Sequence, residues 1–223
     1  MDIITFAAAA AFGYLLGSIP FGLVIVKAAG LGDIRGIGSG NIGATNVLRT
    51  GRKDLALATF LLDSGKAAIA LAVAQALGTT AFGDATGALI GMTAGGAAFL
   101  GQCFPVWLNF KGGKGVATFF GVLLVALPIE GLAAGAIWIL TAILSRTSSL
   151  ASILAACAAP LAAFLLNPNA WFWPTIFCLI LCVLILYRHQ ANIARLVSGT
   201  EPKIGDRAKS TASETHANDT GPV

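Results

Sequence analysis

Three short segments combine glycine with amide, hydroxyl and cationic side chains in patterns suited to holding phosphate. The first is Gly36-Ile37-Gly38-Ser39-Gly40-Asn41-Ile42-Gly43-Ala44-Thr45-Asn46-Val47-Leu48-Arg49. Closely spaced glycines let backbone N–H groups converge on an anion, with Ser, Asn and Thr beside them and Arg49 as a charged clamp. Gly38 to Gly43 also fits a dinucleotide G-x-G-x-x-G, but it follows an apolar run instead of a strand, and no strand–helix alternation surrounds it. A plain flexible linker is the alternative, and it has no need of Asn41, Asn46 and Arg49 in so compact a frame.

The second segment, Phe104 to Thr118, carries Lys111-Gly112-Gly113-Lys114-Gly115 ahead of an apolar helix. Gly115 stands where a Walker A motif needs Ser or Thr, which excludes that motif and leaves an anion site of lysines and glycines at a helix start. The competing reading is that both lysines only set membrane topology. The third segment, Arg188-His189-Gln190-Ala191-Asn192-Ile193-Ala194-Arg195-Leu196, places Arg188, Asn192 and Arg195 on one face if helical, with His189 and Asn192 a turn apart. It also reads as an amphipathic anchor lying on the membrane surface.

The elements that must position these segments are membrane spans. Of the 223 residues, 57% are hydrophobic and only 11% charged, against roughly 25% charged in soluble domains. Apolar runs occupy Ile3–Val26, Leu55–Leu77, Thr86–Phe104, Val116–Leu127, Ile129–Ser145, Leu150–Leu166 and Trp171–Tyr187. The expected fold is therefore all-α and polytopic, with about seven transmembrane helices. Pro128, Glu130 and Gly131 predict a tight turn between the fourth and fifth spans. With the N-terminus outside and the C-terminus cytoplasmic, every Lys and Arg except Lys66 falls on the inner side, while Asp2, Asp84 and Glu130 fall outside. A six-span count would move Arg146 and the basic C-terminal region to the other face.

Residues 1–201 form one membrane domain in this reading, and 202–223 a disordered polar cytoplasmic tail. The leading apolar run lacks a basic n-region and is read as the first span. Cys103, Cys157, Cys178 and Cys182 lie in or beside apolar stretches without metal spacing, so neither disulfide nor metal is assigned. The excess of basic residues follows the spans and forms no aromatic-interleaved stripe, which argues against nucleic acid. Inside the second span, Asp63 and Lys66 are three residues apart on one helical side and are expected to pair with each other or with a polar group of a loop. From the residues alone, phosphate groups are handled at the cytoplasmic interface; transformation, transport and simple binding all remain open.

At these segments the chain resembles the bacterial membrane glycerol-3-phosphate acyltransferases that use acyl phosphate as donor. The likeness runs to about Glu201 through G-S-G-N-x-G-A-T-N-x-x-R at Gly38 to Arg49, F-P-x-x-x-x-x-x-G-G-K-G-V-A-T at Phe104 to Thr118, and R-H-x-x-N-I-x-R-L at Arg188 to Leu196. Asp63-Ser64-Gly65-Lys66 also fits. The resemblance implies a multi-pass enzyme of the bacterial inner membrane with its active site on the cytoplasmic side. It would join acyl phosphate and glycerol 3-phosphate into lysophosphatidic acid and inorganic phosphate, among membrane lipid. It implies neither acyl-CoA nor acyl carrier protein as direct donor, and no cofactor. Carried onto this chain, it gives catalytic roles to Ser39, Arg49, Lys114, His189 and Asn192. Substrate-binding roles fall to Gly38, Gly40, Asn41, Thr45, Asn46, Lys111, Gly112, Gly113, Arg188 and Arg195. One position departs from the pattern: Gln102 stands where the family usually has His, and an amide does no acid–base work near neutral pH. An organic-phosphate transporter is the alternative.

Overall fold

A computed structural model describes residues 3–167 and 172–205; Asp2, Trp171 and the tail from 206 onward, with Arg207 and Lys209, lie outside the described residues. The chain folds into helices α1 (Ile3–Gly17), α2 (Phe21–Ala28), α3 (Ala44–Leu48), α4 (Lys53–Phe82), α5 (Asp84–Cys103), α6 (Val116–Ala126), α7 (Pro128–Ser145), α8 (Ser148–Leu166), α9 (Phe172–Arg188) and α10 (Gln190–Val197). Among the described residues, five helical segments are long and apolar enough to cross a membrane: Ile3–Ala28, Lys53–Phe82, Asp84–Leu108, Pro128–Ser145 and Ser148–Leu166. The pair α9 and α10, bent by 65°, makes a sixth if taken as one broken span, and α6 is a shorter apolar helix. The molecule is thus an all-α polytopic membrane protein with five or six such spans.

The breaks follow backbone chemistry. Pro20 lacks the N–H that would continue α1 and separates it from α2. Gly83, at φ +84, turns the chain between α4 and α5. Pro128 starts α7 at its first turn, one residue after α6, which is the tight turn expected there. By helix rise, α4 is about 45 Å long and overreaches a hydrocarbon layer of about 30 Å.

Large apolar side chains lie on the outer surface as well as in the core around Leu71, Phe99 and Phe119. Small residues such as Ala67, Ala70, Ala155 and Ala159 are buried, while Leu77, Ile129, Ile143 and Leu144 face outward. Lipid solvates large side chains as well as a protein core does, so helices associate through close backbone contact. A Cβ on Gly13 or Gly17 of α1 would lie 2.0 Å from the Ala94 carbonyl oxygen or 2.1 Å from that of Ala98. Glycines of α5 accordingly pack directly on α1 at Gly101, and on α4 through Gly87, Gly91 and Gly95. Helices α4 and α5 form the central pair, with α6 against α4 and α7, α8 and α9 packed in sequence order.

Candidate active site

The first glycine segment is built around Asn46. Its carboxamide oxygen accepts from the Ser39 backbone N–H (3.1 Å) and the Ser39 hydroxyl (3.3 Å), and its Nδ2 donates to the Ile34 carbonyl at 2.9 Å. Gly38 (φ +57) and Gly40 (φ +68) take left-handed conformations that fold the strand-like chain back on α3. A side chain at Gly38 would strike Asn46 Oδ1 and Arg49 Cδ, both at 2.7 Å. One turn of α3 then presents Thr45 and Arg49 beside Ser39. Among the described residues, the Arg49 guanidinium has no hydrogen-bond or ion-pair partner.

The second segment is clamped from both sides. The N–H groups of Gly112 and Gly113 donate to the Cys103 (3.2 Å) and Gln102 (2.9 Å) carbonyls at the end of α5. Their own carbonyls accept from Arg188: Nη2 to Gly112 O at 2.7 Å and Nε to Gly113 O at 3.0 Å. Arg188 also lies 5.2 Å from the Phe104 ring centroid, a cation–π position. Gly115, at φ +77, turns the chain into α6, where a Cβ would fall 2.3 Å from Phe99. The clamp therefore aims the one intervening lysine, Lys114, with little freedom.

Helix α9 breaks at His189, and α10 leaves at an angle. His189 is 2% exposed, and its Nδ1 lies 2.8 Å from the Ile185 carbonyl. A carbonyl can only accept, so Nδ1 carries the hydrogen and the ring is held in one tautomer. Lys114 Nζ donates to Asn192 Oδ1, Asn192 Nδ2 donates to Glu201 Oε1 at 2.6 Å, and Arg195 Nε donates to Glu201 Oε2 at 2.7 Å. The segment after α10 turns back to seat Ile204, whose N–H donates to the Arg146 carbonyl at 2.6 Å.

These pieces share one cavity of about 950 Å³. Its polar wall holds Ser39, Asn41, Thr45, Arg49, Lys114 and His189, with Asn192, Arg195 and Glu201 adjoining; its apolar wall includes Phe60, Phe120, Leu124, Gly135, Trp138 and Ile139. Of the three cations on this wall only Arg195 has a carboxylate partner, Glu201, and the other carboxylate lining the cavity, Asp63, is paired with Lys66 at 2.7 Å. Burial pushes the Lys114 ammonium down to about 8, and Arg195, Arg49 and Arg188 push the same way against the pull of Glu201. Burial raises Glu201, yet donation from Asn192 and Arg195 outweighs it and leaves the carboxyl below its ordinary value. Such a site attracts phosphate oxygens at one end and accepts a hydrocarbon chain along the other.

All five residues expected to be catalytic (Ser39, Arg49, Lys114, His189 and Asn192) line this cavity, as do Gly38, Asn41, Thr45, Asn46 and Arg195. Five expected binding residues do not. Gly40, Lys111, Gly112, Gly113 and Arg188 are absent from the wall. Lys111 is exposed, and the Arg188 guanidinium is committed to two loop carbonyls. The single helical face expected for Arg188, Asn192 and Arg195 is also replaced: the break at His189 sends Arg188 to the loop and the other two to Glu201. Glu201, Asp63, Gln102, Ser148 and Ser149 line the cavity without having been expected there. For Glu201 the available signal was a lone carboxylate six residues beyond Arg195 in an otherwise basic stretch.

Residues 7–199 match the family model described as glycerol-3-phosphate acyltransferase. A glycerol-3-phosphate acyltransferase of Maricaulis maris is 56% identical over 209 residues, covering 93% of this chain and 91% of its own. One from Rhodospirillum rubrum is 55% identical over 209 residues, covering 94% and 95%. The crystal structure of PlsY, an integral membrane glycerol 3-phosphate acyltransferase, superposes in its glycerol 3-phosphate form with a TM-score of 0.80 at 38% identity, covering 90% of this chain and 96% of that one. Its lysophosphatidic acid form gives 0.78 at 37% identity, covering 89% and 94%. Matching over nearly the whole length, with the three glycine and basic segments gathered at one cavity, places this chain in the glycerol-3-phosphate acyltransferase family.

Proposed function

We propose that this chain transfers a fatty acyl group from acyl phosphate to the sn-1 hydroxyl of glycerol 3-phosphate, releasing lysophosphatidic acid and inorganic phosphate. The observation that carries the reading is the single cavity with a cationic, amide-rich wall and an apolar one. Two anionic substrates must approach each other there, and Arg49 and Lys114 offset their repulsion.

Acyl phosphate carries its own leaving group, so no covalent enzyme intermediate is required. The sn-1 oxygen attacks the acyl carbon, the bond from that carbon to the phosphate oxygen breaks, and the hydroxyl proton passes to a substrate phosphate oxygen. Ser39, Arg49 and Lys114 hold phosphate; His189 and Asn192 hold glycerol 3-phosphate and shape the site. Asn41 and Thr45 add hydrogen-bonding capacity on the same wall. Asn46 and Gly38 act by folding the Ser39 loop, and Arg188, Gly112 and Gly113 act by aiming Lys114. Positioning and electrostatic stabilisation supply the rate enhancement.

The same reading puts the protein in a bacterial inner membrane with seven crossings, N-terminus outside, and the cavity mouth at the cytoplasmic face. Its support is the distribution of Lys and Arg. Further support comes from the α6–α7 hairpin, because Lys114 before α6 and Ser148 after α7 line one cavity and so lie at one face. The test supplies purified, lipid-supported protein with palmitoyl phosphate and glycerol 3-phosphate and follows both products. Equal release of lysophosphatidic acid and phosphate, lost in Lys114→Ala, supports the reading; absence of product from folded protein overturns it.

A further inference from the structure

Behind the Lys114 loop lies a closed polar triangle that the reaction does not consume. Lys66 Nζ donates to Asp63 Oδ1 at 2.7 Å, to the Ile19 carbonyl at 2.6 Å, and to Gln102 Oε1. Gln102 Nε2 completes the ring by donating to Asp63 Oδ2 at 3.3 Å. All three ammonium donors are thereby used, and both carboxylate oxygens accept. Asp63, Lys66 and Gln102 are 2%, 3% and 4% exposed. Phe21 covers the ammonium with its ring centroid 5.6 Å away. The triangle ties three separate elements together: α4 through Asp63 and Lys66, the unwound backbone before Pro20 through Ile19, and the end of α5 through Gln102.

Its connection to the site is Gln102 itself. The backbone carbonyl of Gln102 accepts from Gly113 N–H at 2.9 Å, and its side-chain amide lies against the Cα of Gly113, where a Cβ would stand 2.8 Å from Nε2. The next residue is Lys114. Of the three side chains, only the amide offers a donor to the carboxylate and an acceptor to the ammonium without carrying charge. An apolar residue there would strand one Asp63 oxygen and one Lys66 proton in a buried setting.

We propose that Gln102 is a positioning residue for the acyl transfer: by bridging Lys66 and Asp63 it fixes the end of α5, and so fixes Gly113 and the direction of Lys114, while taking no part in proton transfer. This rests on the acyltransferase reading above, in which Lys114 holds substrate phosphate. A neutral imidazole also presents one donor and one acceptor, so the bridge is chemically replaceable by His but not by Leu.

The experiment compares wild type, Gln102→His and Gln102→Leu in lipid, near pH 8, with KM for both substrates and kcat measured separately and folding followed by thermal unfolding. An inactive wild type refutes the acyltransferase reading itself. With wild type active, Gln102→His is expected to stay within about threefold in both KM and kcat, since it preserves the bridge. Gln102→Leu is expected to raise KM for a phosphate-bearing substrate by about tenfold or more, because Lys114 is misdirected. Should Gln102→Leu lose its fold, Gln102→Met, which keeps the volume and lacks the donor, replaces it under the same criterion. Wild-type kinetics in the apolar variant would overturn the proposal. A turnover of Gln102→His more than about tenfold above wild type would also overturn it, since this would reveal acid–base work at that position.

Discussion

Lys114 supplies the sharpest quantitative prediction. Burial leaves its ammonium titrating at about 8, well below an ordinary lysine. If phosphate binding requires the charged form, affinity is fully present below pH 8 and is lost as pH rises through that value. The penalty follows one plus ten to the power of pH minus pKa: negligible at pH 7, and about elevenfold, or about 1.4 kcal/mol, at pH 9. Substrate phosphate has its second ionisation near 6 and so adds no limb between pH 7 and 9. Initial rates across a glycerol 3-phosphate and acyl phosphate matrix at pH 7, 8 and 9 should show the KM of the substrate held by Lys114 rising about tenfold. Lys114→Arg stays charged throughout this range, so its KM, even if higher overall, should lose the alkaline limb. A wild-type KM that is flat between pH 7 and 9, or an equal limb in Lys114→Arg, would refute the assignment of Lys114 as the titrating phosphate ligand.

Two substitutions probe the remaining walls. Asn46→Ala strands the Ile34 carbonyl at a buried position, at about 1–3 kcal/mol, and removes the acceptor that folds the exposed Ser39 turn. Activity should fall at least tenfold together with thermal stability, as read by turnover and a melting curve. Gly135 on α7 has open space where a Cβ would stand, and it lines the apolar wall beside Trp138. Gly135→Leu should therefore fold normally but fill the groove, lowering kcat/KM about tenfold for a palmitoyl donor and much less for an octanoyl one. Competing the two donors in one mixture measures the ratio directly, and an unchanged ratio would remove Gly135 from the acyl groove.

How far these contacts were legible depends on how local each one is. The glycine segments were readable because their chemistry is contained within a dozen residues: Gly38, Ser39, Asn46 and Arg49 fold onto one another, and the sequence spacing already implies the loop. The apolar runs were equally readable, since a helix in lipid must be apolar over its whole length. Residue type announced that Arg188 would meet oxygen atoms; whether those belonged to a substrate or to Gly112 and Gly113 depended on the bend at His189, which neither proline nor glycine marks. Glu201 was hidden for a related reason. It lies next to the boundary drawn at the start of a polar tail, and only the return of the chain to Arg146 brings its carboxylate under Asn192 and Arg195.

Glu201 also changes what the cationic wall means. Arg195 and Asn192 are already bonded to it, whereas Arg49 has no partner among the described residues and Lys114 is bonded to a neutral amide. The charge available to a substrate is therefore concentrated on Arg49 and Lys114, one from each glycine segment. That division explains why both loops are held so tightly from behind, by Asn46 in one case and by Gln102 and Arg188 in the other. Two anions meeting without a covalent intermediate depend on the distance between their ligands more than on the strength of either. A loop free to relax by an ångström would loosen its hold on phosphate and also fail to bring the hydroxyl to the acyl carbon.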